Sequence, residues 1–238
     1  GTFGPGARAG FGMTYDPRAE RTVIACGESS FGCQSDAWAW DGRGFTQLLP
    51  QTQAPSARRG LQLVHDPASN QLLLHAGGCG STLTNDLFSL DLPVFWRSTS
   101  VGTGCQGSNG RTMALAIASG SSAVIGQNLN LTLSDVPFVF FAPYGLIGLS
   151  DTNFRGLPLP LDLSVLGLAG CSAYGSGDAS VPMSLPNATG GSTWTLPIPN
   201  GAYLLGMPLH LQGLSFEAPG FTRWASVSNG VSVRIGSQ

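Results

Sequence analysis

The amino-acid sequence predicts an all-β protein, and three observations carry that prediction. The chain has 34 glycines and 16 prolines among 238 residues, a composition typical of many short strands joined by tight turns. Apolar and polar residues alternate over short runs along the chain, as they do in strands with one buried face. Helical periodicity is nearly absent, and the stretch PLDLSVLGL is expected to hold one helical turn at most.

The charge content is low and nearly balanced. Charged residues make up 10% of the chain, against roughly 25% in an average soluble protein. All eleven basic residues are arginines, and the net charge is −2, so we expect no nucleic-acid partner. Apolar runs are far shorter than the roughly eighteen residues that span a membrane, so we expect no membrane insertion. A surface so poor in charge resists association only weakly.

Two segments of the chain are nearly the same. Residues 5–17 read PGARAGFGMTYDP, and residues 55–67 read PSARRGLQLVHDP. At this offset of fifty residues the chain aligns with itself without a gap. The later matches include Asp36 with Asp86, Trp38 with Phe88, and Phe45 with Phe95. The chain therefore contains two copies of one structural unit.

Each copy predicts four short strands. The first ends at an Asp-Pro turn, because proline cannot donate a hydrogen bond to a neighbouring strand. The second is a nearly continuous apolar run, TVIACG or LLLHAGG, as expected of a strand buried on both faces. The third places its aromatic residues on one face. The last is a short strand that carries Phe45 in the first copy, and Phe95 and Trp96 of VFWRST in the second.

This pattern resembles a known family. The succession P-x-x-R-x-G, an apolar strand to D-P, an apolar run to G-G, then N-D-x-W-x-x-D and an aromatic residue resembles the kelch repeat. The resemblance covers residues 5–48 and 55–97 and implies two four-stranded β-propeller blades. The first copy departs from it at Glu28, which replaces the second glycine. Kelch blades serve protein partners and glycans, and occasionally copper or hydrolytic chemistry, but two blades cannot supply a copper ligand set.

The repeated polar and aromatic residues are expected to be structural. A repeated arginine beside a repeated aspartate most simply pairs within its blade or bonds loop carbonyls, which fixes one blade on the next. The aromatic residues are expected to be core residues before they are a sugar platform. The blade-structural residues predicted in this way are Arg8, Arg58, Asp36, Asp86, Trp38 and Phe88.

The second half of the chain has a different character. We expect residues 1–97 to form the blades, 98–110 to be a linker dense in glycine, serine and threonine, and 111–238 to form an antiparallel β-sandwich. Residues 104–236 resemble a carboxy-terminal β-sandwich module of large secreted bacterial proteins. The stretches that carry this resemblance are LPLPLDLSVLGLAGC, LPIPNGAYLLGMPLHLQGLSFE and VSNGVSVRIG. That resemblance implies location and architecture, not activity.

Five cysteines are more typical of a secreted protein than of a cytosolic enzyme. Cys26 and Cys33 bracket a short loop, and Cys105 and Cys171 each follow a glycine, so these are the preferred disulfide pairs. Cys79 would then be free or form an intermolecular bond. A Cys33–Cys79 pair is the alternative.

The sequence offers little chemistry. The histidines, His65, His75 and His210, are not accompanied by residues that complete a catalytic set, and the glutamates suggest no carboxylate pair. Asp151 and Asn153 share a loop that could bind calcium, although an ordinary turn explains it better. Asn130 and Asn187 begin formal N-glycosylation sequons. We expect no enzyme activity, cofactor or metal, although the non-catalytic remainder of a secreted enzyme is a third interpretation.

Two blades are fewer than the roughly four to eight that close a propeller. Three arrangements would resolve this: further blades precede Gly1, several chains pool their blades in a ring, or the open face packs on the sandwich or on the next subunit of a filament. The low charge and the absence of a catalytic set favour contacts between subunits. We therefore expect a secreted, non-catalytic structural subunit that self-associates through blade faces and strand edges, in a filament or another multi-subunit assembly at the cell surface. The alternative is an extracellular binding module that recognises a glycan or a protein through its blade loops.

Overall fold

A computed structural model describes residues 4–48, 55–69, 71–90, 94–137, 142–217 and 223–237. In this part of the chain the secondary structure is β except for short 3₁₀ segments, and the strands form several antiparallel sheets. The predicted all-β class is confirmed. The chain divides into two compact units, Gly1–Val94 and Phe95–Gln238. None of the helical segments in the described ranges is long and apolar enough to cross a membrane.

The first repeat forms a four-stranded antiparallel sheet and a small hairpin. Its strands are Gly12–Asp16 (β1), Arg21–Ala25 (β2), Glu28–Ser29 (β3), Gly32–Cys33 (β4), Ala37–Trp40 (β5) and Phe45–Leu48 (β6). The sheet order is β1-β2-β5-β6, and β3 pairs with β4 in the hairpin. The turn after β1 follows the predicted Asp-Pro step, and there the buried Asp16 carboxylate accepts hydrogen bonds from the backbone and side chain of Arg18.

The second repeat forms a three-stranded sheet in the described part of the chain. Its strands are Gln62–Asp66 (β7), Gln71–Cys79 (β8) and Thr82–Leu90 (β9), in the order β7-β8-β9. Strands β8 and β9 run on into the hairpin that is separate in the first repeat, with a register shift between His75 and Gly77.

In the described part of the chain, the fourth strand predicted for the second repeat does not join the sheet of that repeat. The segment that carries Phe95 and Trp96 leads instead into Arg97–Val101 (β10), which pairs with Ala225–Arg234 of the second unit. Trp96 packs against the core of that unit. The repeat pattern predicted a strand here correctly, but the identity of its pairing partner depends on a segment more than a hundred residues away.

The first unit has its core between the two repeat sheets. The buried residues of the first sheet are small or β-branched, and those of the second are mainly leucines: Val23, Ala25, Cys26, Leu61, Leu63, Leu72, Leu74 and Leu90. The sheets approach closely at Gly12, where an added Cβ would lie 2.7 Å from the Cβ of Leu63. Glycine at this position therefore allows β1 to pack directly on β7.

The second unit is a sandwich of two antiparallel sheets. Besides β10, its strands are Ala114–Ile117 (β11), Asn128–Ser134 (β12), Tyr144–Gly148 (β13), Asn153–Phe154 (β14), Leu157–Pro158 (β15), Leu161–Asp162 (β16), Ser172–Ala173 (β17), Ala179–Pro182 (β18), Ser192–Pro197 (β19), Pro208–Phe216 (β20) and Ala225–Arg234 (β21). The main sheets have the orders β10-β21-β20-β13-β18 and β11-β12-β19. Their inward-facing residues, including Leu131, Trp194 and Leu211, form one hydrophobic core.

Residues 98–110, which were predicted as a linker, belong to the second compact unit. Strand β10 covers the first of them, and the amide of Cys105 donates a hydrogen bond of 2.9 Å to the carbonyl of Val227. PLDLSVLGL holds a 3₁₀ helix at Leu163–Leu166, which starts at the Asp162 cap, and a second one spans Ala202–Leu204. Residues 138–141, which were predicted as part of a strand, lie outside the described residues.

Candidate functional site

The repeated arginine and aspartate of each repeat lie together. Arg8 Nη1 and Nη2 donate to the two carboxylate oxygens of Asp36 at 2.5 and 3.1 Å. Arg58 makes the same two-pronged contact with Asp86. The Arg58 side chain is 1% exposed, so its guanidinium offers little surface to a ligand. Each ion pair therefore lies within its own repeat.

Each arginine also supports a left-handed residue. Cys26 and Ala76, which are equivalent in the two repeats, have φ angles of 59° and 60°, a region that costs residues other than glycine free energy. Arg8 Nη1 donates to the Cys26 carbonyl at 3.0 Å, and Arg58 Nη1 donates to the Ala76 carbonyl at 3.1 Å. The guanidinium therefore joins the aspartate to a left-handed residue, which follows β2 in the first repeat and lies at the register shift of β8 in the second.

The electrostatics of these pairs favour the ionised forms. Burial raises the pKa of Asp36, but hydrogen bonds from Arg8 and from the Trp38 indole, 2.7 Å away, outweigh burial, and the pKa lies below its usual value. The hydrogen bond between Arg58 and Asp86 lowers the pKa of the aspartate and raises that of the arginine. Both ion pairs therefore persist into the acidic range.

The predicted aromatic residues belong to these clusters. Trp38 is buried and donates to Asp36. The Phe88 ring packs against the core of the first unit, and the Arg58 guanidinium carbon lies 5.3 Å from its centroid, within cation–π range. Neither ring is placed as an exposed sugar platform.

Backbone hydrogen bonds and a disulfide join the two repeats. The Gly27 amide donates to the Arg58 carbonyl at 2.8 Å, and the Arg58 amide donates to the Gln34 carbonyl at 3.1 Å. The disulfide links Cys33 of the first hairpin to Cys79 of the second sheet. The connection between the repeats is therefore covalent as well as hydrogen-bonded.

The preferred Cys26–Cys33 pair was wrong, and the alternative Cys33–Cys79 is formed instead. Cys26 is a free thiol that points into the core between the repeats, away from the exposed hairpin that holds Cys33. Burial raises the pKa of Cys26 to about 11, although the nearby Arg58 charge opposes this effect. Cys79 is accordingly neither free nor intermolecular. Cys105 and Cys171 form the other predicted disulfide, in the second unit.

One ion pair between the repeats was missed. Glu28 Oε2 accepts a hydrogen bond of 2.6 Å from Arg59 Nη1. Both residues depart from the repeat, because their equivalents at the offset of fifty are Gly78 and Ala9. Two residues of opposite charge that break the repeat pattern in adjoining repeats could have predicted this contact. The presence of Glu28 at the position that is Gly78 in the second repeat thus has a structural explanation.

Each repeat sheet has a second face that points away from the other repeat. In the first sheet this face, here called the first-sheet face, carries Met13 and Tyr15, which are 59% and 54% exposed. In the second sheet the corresponding second-sheet face carries Val64, Leu83 and Leu87, which are 49%, 86% and 62% exposed. Both faces therefore present apolar side chains to solvent.

A cavity of about 570 Å³ opens beside the second-sheet face. It is lined by residues 76–78, 80, 83 and 84 of the second sheet and by residues 9, 10, 59 and 60 of the two Arg-x-Gly segments. Glycine backbone forms much of the wall, and none of these lining residues is aromatic. The cavity therefore suits a segment of main chain better than the stacked ring of a sugar.

The remaining candidates are not brought together. His65 and His75 lie on opposite faces of the second sheet, as their pairing with Leu72 and Gln62 requires. His210 is in the second unit, with Nδ1 2.8 Å from Ser232 Oγ. In the described ranges no group of three or more histidine, cysteine or acidic residues could hold a metal ion.

The loop and sequon residues are exposed. Asp151 is at the surface, and Asn153 Oδ1 accepts a hydrogen bond of 2.9 Å from the Gly156 amide, as in an ordinary turn. Asn130 is exposed on β12, where Thr195 donates to it, and Asn187 is exposed in a turn. Their modification stays a prediction.

The comparison with known proteins adds no relative. No protein-family model matches the chain, and no curated protein matches it.

Proposed function

We propose that the protein is an extracellular, non-catalytic structural subunit that self-associates through the open faces and edges of its repeat unit. The observation that carries this proposal is the pair of apolar outer faces, one on each repeat sheet. Val64, Leu83 and Leu87 are exposed on one small sheet. Exposed apolar side chains grouped in this way are a sign of an interaction site.

A strand edge supports the same proposal. Strand β9 is nine residues long and forms an edge of the second sheet in the described part of the chain. Natural edge strands are commonly protected by lysine or proline, and β9 contains neither. The same segment contributes two of the three apolar residues of the second-sheet face.

We further propose that the two repeats are kelch-type blades and that association with other copies extends this pair of blades. The repeat spacing, the two Arg–Asp pairs and the close packing of the two sheets support this assignment. An extracellular location is supported by the two disulfides, because disulfides persist mainly in oxidising compartments. The low charge of the chain also favours contacts between subunits.

The test is the mass of the protein in solution. Sedimentation velocity over a wide concentration range is expected to show species larger than one chain, with their fraction rising with concentration. The same preparation viewed by electron microscopy would show whether the assembly is a ring or a filament. A single species with the mass of one chain at every concentration would refute the proposal.

A further inference from the structure

We propose that copies of this chain join head to tail, so that the second-sheet face of one copy packs on the first-sheet face of the next. The arrangement would repeat the packing of the two sheets inside one chain. This inference rests on the proposed self-association and specifies which surfaces meet.

The first argument is the equivalence of the faces. Inside the chain, the second sheet places Leu63 against the β1 strand of the first sheet. At the offset of fifty residues, Met13 of the first-sheet face corresponds to Leu63. In the same alignment, Val64 and Leu87 of the second-sheet face correspond to Thr14 and Ala37. Ala37 packs against the core between the repeats. The open second-sheet face is thus equivalent to the packed face of the first sheet, and the open first-sheet face is equivalent to the packed face of the second sheet.

The second argument is the cavity beside the second-sheet face. In the first sheet, the place formed by Gly27 and Gln34 is filled by the main chain of Arg58, which hydrogen-bonds to both residues. The equivalents of these two residues, Gly77 and Thr84, line the cavity. The segment of a second copy equivalent to Arg58 is the one around Arg8. Its main chain is the occupant that the cavity would receive.

The side chains set the spacing of this contact. Gly12 and Ala25, which allow the sheets of one chain to pack closely, correspond to Gln62 and His75 in the second sheet. These larger residues hold a second copy farther away than the two sheets of one chain. The contact between copies is therefore weaker than the internal one and reversible. Because it joins two different surfaces, it closes into a ring or continues as a filament, depending on the rotation between copies.

The first experiment separates the two surfaces. Leu87→Glu places a charge on the second-sheet face, and Met13→Glu places one on the first-sheet face. Each variant alone is expected to raise the dissociation constant of self-association at least tenfold, because a carboxylate would be buried in an apolar contact. Leu185→Glu, which changes an exposed leucine of the second unit, is the matched control and leaves association unchanged.

A mixture of the two variants gives the decisive result. The Met13→Glu chain keeps an intact second-sheet face, and the Leu87→Glu chain keeps an intact first-sheet face. Equal amounts of the two are expected to form a dimer of the two different chains that grows no further. If the wild-type protein associates but the mixture stays monomeric, or if either variant associates as the wild type does, the head-to-tail arrangement is wrong and self-association stands. A monomeric wild type overturns both proposals.

Cross-linking provides a test that introduces no charge on either face. In the repeat alignment, Leu83 corresponds to Cys33, and Ser29 corresponds to Cys79. Leu83 of one copy and Ser29 of the next are therefore expected to lie near each other, as Cys33 and Cys79 do inside one chain. A mixture of Ser29→Cys and Leu83→Cys chains, treated with a short bis-maleimide that tolerates the wider spacing, is expected to give a cross-linked dimer on a denaturing gel. Each variant alone is the control. A dimer yield in the mixture no greater than in the controls overturns the arrangement.

Discussion

The disulfide between the repeats gives the most direct prediction about stability. Replacing both of its cysteines, Cys33→Ser with Cys79→Ser, removes a bond between residues 46 positions apart. In the chain-entropy relation, a closed loop of this length stabilises the folded state by about 4 kcal/mol at 25 °C. A domain the size of the first unit has a total stability of roughly 5–14 kcal/mol. The variant should therefore lose roughly 30–80% of it.

Urea unfolding measures this loss. With a denaturant slope of about 2 kcal/mol/M, the midpoint of the first unit should fall by about 2 M. Hydrogen exchange followed by mass spectrometry assigns the loss, because only peptides from the first unit should exchange faster. The matched control is Cys105→Ser with Cys171→Ser, which removes a bond across 66 residues and should weaken the second unit instead.

Two results would refute the reasoning. A loss below about 1 kcal/mol would mean that the bond does not constrain the unfolded chain as the entropy relation requires. A disulfide map of the native protein that joins Cys26 to Cys33 would mean that the loop closed by the bond is much shorter.

Three further outcomes follow from the first unit. Gly12→Ala should destabilise this unit by about 1–3 kcal/mol in urea unfolding, because the new Cβ meets Leu63; Gly44→Ala, where nothing lies within 4 Å, should not. The pKa of Asp36 is lower in the folded state, so its ion pair stabilises the protein above the unfolded pKa of about 3.9, and this stability is lost as the pH falls through the folded pKa. Asp36→Asn should therefore flatten the dependence of the unfolding free energy on acidic pH. An unchanged pH dependence would contradict the assignment. Cys26, buried with a pKa of about 11, should resist iodoacetamide at neutral pH and react once urea unfolds the protein, as mass spectrometry would report.

Local patterns in the sequence were sufficient for several features. The gapless repeat and the alternation of apolar residues predicted β1, β2, β5 and β6, because strand formation depends on residues that are close in sequence. The repeated opposite charges predicted the partners Arg8 and Asp36, because identical pairs recurring in two copies imply a contact inside each copy. The stretch PLDLSVLGL, which was expected to hold one helical turn at most, holds one 3₁₀ helix.

Pairings between distant segments were less predictable. Cys33 lies seven residues from Cys26 in the sequence but bonds to Cys79, since the packing of the repeats brings the two hairpins together and turns the Cys26 side chain inward. The strand that starts at Arg97 joins the sheet of the second unit, where Ala225–Arg234 offers it an edge. The contact of Glu28 with Arg59 also depends on how one repeat lies on the next.

The sequence by itself thus determined the class of the fold, the count of repeats and the charged pairs inside each repeat. Only the tertiary structure decided which cysteines bond, which sheet receives β10 and which sheet faces remain open. The physical reason is that alternation and turn chemistry act over a few residues, whereas the entropy of closing a loop rises only slowly with its length. Packing, and not nearness in sequence, therefore chooses among distant partners.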